Sequence, residues 1–103
     1  MRTVMVRYKV KADAVAENER LIAGVMAQLA RDKPAGVRYQ ALKLPDGQSF
    51  VHFAMSEAEV NPVTQLEAFK LYTAGIRERC EEPPVSAVLQ QVGLYDGLRD
   101  GQK

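Results

Sequence analysis

His52 is the only histidine of this 103-residue chain. It lies in the stretch SFVHFAMSE, residues 49–57, between Phe50 and Phe53. An unperturbed imidazole titrates near pH ~6.5, so His52 is suited to move a proton at neutral pH. The same residue, satisfied by hydrogen bonds inside a sheet or across an interface, would be purely structural. On a strand, Phe50, His52 and Ala54 share one face, and Val51, Phe53 and Met55 share the other. Both faces are apolar, so His52 points either under the helices or toward an interface, according to which face they cover.

Tyr8, Tyr39 and Tyr72 form the second group. Each lies on the more apolar side of its element. A tyrosine offers a large apolar body and a polar tip, which can orient an aromatic ligand or pack in a core with its hydroxyl at the edge. Phe69 adds an apolar wall. Arg7 and Arg38, on the mixed faces of their strands, could bind a carboxylate or form salt bridges. One histidine and one cysteine, Cys80, do not make a zinc site within one chain, so no metal site is expected. Phosphate-cradling, dinucleotide and nucleophile-elbow motifs are all missing.

The elements that position these residues follow from periodicity. TVMVRYKV, 3–10, alternates as a strand. A helix is expected over 14–33, with Asp13 at its N-cap and Val15, Ile22, Val25, Met26 and Leu29 on one stripe. Pro34 and Gly36 end it. Strands over 36–44 and 48–55 flank the turn Pro45-Asp46-Gly47 and read as an antiparallel hairpin. Thr64 and Glu67 have capping-box spacing before a second helix over 65–81, which carries Cys80 on its buried side. The last strand is expected over 85–95. Gly24 and Gly75 fall within the helices, each at a cost of about 1 kcal/mol relative to alanine, which close packing against the sheet, the favoured reading, or room for a ligand would offset.

The order β-α-β-β-α-β predicts an α+β, ferredoxin-like fold, a four-stranded antiparallel sheet with two helices on one face. Residues 1–95 form one domain, and 96–103 a polar C-terminal tail. The uncovered sheet face is expected to meet a second copy, giving a homodimer. Fourteen basic and 13 acidic residues give a net charge of +1. This balance argues against nucleic acid or a membrane surface as partner. No stretch approaches the ~18 apolar residues of a membrane span. A single cysteine and no signal-peptide pattern make the cytoplasm the expected location.

The strand order, the FVHFAMSEAEV strand and connector and the TQLEAFKLYTAGIRE helix together resemble the dimeric α/β-barrel superfamily, specifically its antibiotic biosynthesis monooxygenase-like group. The resemblance covers roughly residues 1–95. It implies a homodimeric barrel with a pocket between sheet and helices. It also implies a cofactor-independent monooxygenase: a small, quinol-type aromatic substrate, once deprotonated, gives electrons to O₂ without metal or flavin. His52 would be the base or phenolate partner, and Tyr8, Tyr39, Phe69 and Tyr72 would bind substrate. The haem-degrading relatives use a tryptophan and a helix-borne histidine. This chain has no tryptophan, and its histidine is on a strand. An isomerase or cyclase of the same fold, and a non-catalytic ligand-binding or stress-response barrel domain, stay open as alternatives.

Overall fold

The computed structural model describes residues 1–98. Its elements are β1 (Arg2–Val10), α1 (Val15–Asp32), β2 (Val37–Lys43), β3 (Ser49–Ser56), α2 (Glu67–Ala74), α3 (Ile76–Arg79) and β4 (Cys80–Leu89). Short 3-10 turns at Ala12–Ala14 and Pro62–Gln65 precede α1 and α2. The sheet order is β2-β3-β1-β4, and every pairing is antiparallel. This is the ferredoxin-like arrangement read from the sequence.

Period-2 alternation decides which side chains meet the helices. On β1 these are Val6, Tyr8 and Val10, which join Phe50 of β3 and Val25 of α1 in the core. Val6 stands opposite His52, and Ala41 of β2 stands opposite it on the other side. Residues paired across a sheet share a face. The face carrying Phe50, His52 and Ala54 is therefore the one under the helices. Val51, Phe53 and Met55 are on the other face, with Arg7 and Arg38.

The β2–β3 hairpin turns where expected. Gly47 donates its N–H to the Leu44 carbonyl at 3.0 Å and sits at φ 76°, a conformation that favours glycine. The Asp46 carboxylate accepts from the Ser49 hydroxyl (2.6 Å) and from the backbone N–H groups of Gln48 and Ser49. The Ser49 hydroxyl foremost, then the two N–H groups, holds its pKa down at about 2.

The first helix begins later than expected. Asp13 lies inside the 3-10 turn, and Ala14 occupies the N-cap with no side-chain cap. At the other end Lys33 takes the left-handed conformation (φ 49°) and donates to the Leu29 carbonyl. Pro34 follows and prevents continuation. Gly24 does not pack closely: a β-carbon there would meet nothing within 4 Å.

The second helix departs further from the expected 65–81. Leu66 is extended (φ −72°, ψ 142°), so α2 starts at Glu67 and the Thr64–Glu67 capping box does not form. Asn61 instead caps the preceding turn through its side chain. The N-terminus of α2 is capped from another helix, where Gln28 Oε1 of α1 accepts from the Ala68 N–H at 2.9 Å. Gly75, at φ −113° and ψ 17°, separates α2 from the single turn α3.

Cys80 is not helical; it opens β4 opposite Val10. The last strand is Cys80–Leu89 rather than 85–95, and it includes Pro83 and Pro84. Proline is tolerated because β4 is an edge strand paired only with β1. The β1–β4 register shifts between Arg7 and Val10, beside the prolines. Residues 90–98 have no regular structure. Of the tail over 96–103, residues 99–103 lie outside the described part.

Candidate functional site

Between the sheet and α2 lies a cavity of about 470 Å³. This is within the range of small-ligand sites, roughly 300–1,000 Å³. Val4 and Val6 of β1, Ala54 of β3, Val63, Phe69 and Ile76 supply its apolar lining. Tyr39, His52 and Tyr72 supply polar groups, and the exposed Arg2 and Glu59 also border it.

The strand register brings the polar groups together. His52 faces Val6 on one side and Ala41 on the other, so Tyr8 and Tyr39 are its diagonal neighbours. Diagonal pairs are within reach of long side chains. The Tyr8 hydroxyl lies 2.9 Å from His52 Nε2, and the Tyr39 hydroxyl lies 2.6 Å from His52 Nδ1. Both ring nitrogens are therefore engaged by tyrosines. Tyr72 of α2 stacks on the imidazole (5.6 Å between centroids, 17° between planes) and donates its hydroxyl to the Tyr8 oxygen at 2.7 Å. Phe69, one turn earlier on α2, packs edge-on against Tyr39.

Two further residues complete the network. Asn18 of α1 is fully buried and donates from Nδ2 to the Tyr8 oxygen at 3.0 Å. Its Oδ1 accepts from Arg79 Nε at 3.2 Å. Arg79 also donates from Nη2 to the Tyr72 carbonyl at 2.7 Å, and its guanidinium lies 5.6 Å from the centre of the Tyr72 ring. Among the described residues no buried side-chain nitrogen or oxygen lacks a partner. The chain of contacts runs Arg79–Asn18–Tyr8–His52–Tyr39, from the C-terminal end of α3 to the cavity wall.

Burial keeps the His52 ring and the three tyrosine hydroxyls neutral near pH 7. Burial lowers the His52 pKa to about 4. Burial is also the leading cause that raises the hydroxyl pKa values of Tyr8, Tyr39 and Tyr72. For Tyr8 the bonds from Asn18 and Tyr72 and the charge of Arg79 work the other way. Tyr8 therefore has the environment best prepared to tolerate negative charge. Burial raises the pKa of the Cys80 thiol, and Cys80 does not border the cavity.

Of the five residues singled out from sequence, Tyr39, His52, Phe69 and Tyr72 border the cavity. Tyr8 does not; it is 2% exposed and lies behind His52. Arg7 and Arg38 are on the opposite face of the sheet. Asn18 and Arg79 are the members that sequence reasoning missed. A signal existed for Asn18: it falls on the apolar stripe of α1, where residues 15, 18, 22, 25 and 29 follow 3-4-3-4 spacing. Among the described residues no group of three or more His, Cys, Asp or Glu could hold a metal ion, and no helix is long and apolar enough to cross a membrane.

No family model matches the chain, and no curated protein matches its sequence. Solved structures do. Rv0793 from Mycobacterium tuberculosis superposes with a TM-score of 0.75 at 18% identity, covering 92% of this chain and 98% of that one. An antibiotic biosynthesis monooxygenase superposes with a TM-score of 0.76 at 14% identity, covering 90% and 100%. SnoaB, a cofactor-independent oxygenase from Streptomyces nogalater, gives 0.67 at 22% identity, covering 90% and 94%. At these identities the shared property is the fold, which is the one seen in antibiotic biosynthesis monooxygenases.

Proposed function

We propose that the chain is a cofactor-independent monooxygenase acting on a small, quinol-type aromatic substrate. The observation that carries this reading is the Tyr8–His52–Tyr39 hydrogen-bonded series ending at the wall of a largely apolar cavity of about 470 Å³. Aromatic side chains of Phe69 and Tyr72 suit a flat ligand. The fold shared with SnoaB, described as a cofactor-independent oxygenase, supports the same class.

In this reading the ionised substrate reduces O₂. One oxygen atom is retained as a new carbonyl and the other leaves as water, with all four electrons coming from the substrate. The protein's part is to exclude water, orient the ring and manage protons and charge. His52 does this through Tyr39, because both its nitrogens are already held by hydroxyls. Tyr39, Phe69 and Tyr72 contact the substrate, and Tyr8 acts behind them.

The same proposal includes a homodimer. Val51, Phe53 and Met55 on the uncovered face are only half-buried in the single chain, and Val85 on β4 is 68% exposed. A second copy would cover them. A reducing, cytoplasmic setting suits the free thiol of Cys80.

Oxygen uptake with a panel of hydroquinones and anthrones in metal-depleted buffer tests the activity. Stoichiometric uptake that falls sharply in His52→Ala supports the reading. Conversion without O₂ consumption replaces it with an isomerase or cyclase. Binding without conversion replaces it with a ligand-binding domain. Light scattering at micromolar concentration tests the dimer, and a monomeric mass refutes it.

A further inference from the structure

With the Tyr72 hydroxyl as a donor to Tyr8, the donor and acceptor capacities around Tyr8 set the direction of the whole network. Arginine can only donate, so the Asn18 atom facing Arg79 Nε is the carbonyl oxygen Oδ1. The atom facing Tyr8 is then the amide Nδ2, which can only donate. Tyr72 also donates to Tyr8. A phenolic oxygen has two acceptor positions and one proton. Asn18 and Tyr72 fill the two positions, so the Tyr8 proton goes to its remaining partner, His52 Nε2. A neutral imidazole carries one proton, which must then sit on Nδ1 and be donated to the Tyr39 oxygen. Tyr39 receives that bond and keeps its own proton free for the cavity it borders.

We propose that Asn18 and Arg79 are positioning residues that hold His52 in its Nδ1–H tautomer, so that Tyr39 offers a hydrogen-bond donor to an oxyanion, a phenolate or enolate oxygen, of the ligand. This rests on the aromatic-ligand reading above and sharpens it. The site takes the ionised form of a quinol-type oxygen rather than abstracting its proton through Tyr39. Charge-assisted bonds to an oxyanion are about twice as strong as neutral ones, so the direction of one proton separates the two ligand forms. Arg79 does not itself border the cavity, and its guanidinium is held in place by the Tyr72 carbonyl as well as by Asn18.

The chain has one histidine, so protein labelled with ¹⁵N-histidine gives a single imidazole in a two-bond ¹H–¹⁵N correlation spectrum. The measurement needs neither ligand nor turnover, so its failure and that of the oxygenase reading are separable. The expected result for the wild type near pH 7 is a protonated Nδ1 and a bare Nε2. A bare Nδ1 overturns the proposal.

Asn18→Asp is the inverting variant. A carboxylate at that position accepts from Arg79 and from Tyr8. Tyr8 must then receive from His52, which moves the imidazole proton to Nε2. Folded Asn18→Asp protein that keeps Nδ1–H overturns the proposal. Tyr39→Phe is the second variant and removes the opposite partner. Retention of Nδ1–H there shows that the direction is set from the Asn18 side. A switch to Nε2–H shows that Tyr39 itself held it, and overturns the assignment.

Discussion

The Tyr39 hydroxyl lies 2.6 Å from His52 Nδ1, across the β2–β3 hairpin and two residues off direct register. This bond joins the interior network to the cavity. Tyr39→Phe should therefore lower oxygen consumption with a hydroquinone by roughly 10²–10³-fold, the usual effect of removing one oxyanion donor. The loss should fall on kcat more than on KM, because charge at the ligand oxygen is greatest on the way through the reaction. Steady-state oxygen-electrode kinetics check both parts.

Acid should weaken the fold through His52. Its pKa is lowered to about 4 in the folded chain by burial, against ~6.5 unfolded. Between these values the unfolded chain binds more protons, so stability falls as pH drops from about 6.5 to about 4 and levels off below. The shift corresponds to about 3 kcal/mol at the acid limit. Asp46, held at about 2, contributes its own loss only at lower pH. Urea midpoints at stepped pH values should show the slope in the wild type and lose it in His52→Gln.

Tyr8→Phe should be the most damaging change of a single atom. It would leave Asn18 Nδ2, the Tyr72 hydroxyl and His52 Nε2 short of a partner in a buried space. A buried unsatisfied polar group costs about 1–3 kcal/mol, so a total of about 3 kcal/mol is expected after relaxation. Chemical denaturation measures it, and a loss under 1 kcal/mol would contradict the network.

Gln28→Ala should destabilise the chain by about 1 kcal/mol, the usual worth of a helix N-cap, by freeing the Ala68 N–H. Gln28→Glu keeps an acceptor and should recover most of the loss. Gly24→Ala should act in the other direction. The site is an open, exposed helix position, so about 0.5–1 kcal/mol of added stability is expected. Thermal melts of the three variants give the order.

Much of this architecture is legible in the sequence because β1, the hairpin and α1 follow strict periodicities. His52 was ambiguous for a physical reason: Phe50-His52-Ala54 and Val51-Phe53-Met55 are both apolar faces, and only the placement of the helices separates them. Asn18 was legible as a polar residue on an apolar stripe. Arg79 was not. Its reach to Asn18 depends on the break at Gly75 and on the chain turning into β4 directly after it. Pro83-Pro84 lies between the helix expected over 65–81 and the strand expected over 85–95, and a proline pair normally interrupts regular structure. An edge strand with one partner accommodates it.

The polar series draws one side chain from each of six elements: Tyr8 from β1, Asn18 from α1, Tyr39 from β2, His52 from β3, Tyr72 from α2 and Arg79 from α3. No sub-assembly of these elements contains a working version. Melting any one of them dissolves the site, so the site is only as stable as the first of these elements to open. Activity on heating should therefore be lost at or below the main transition, and never outlast it.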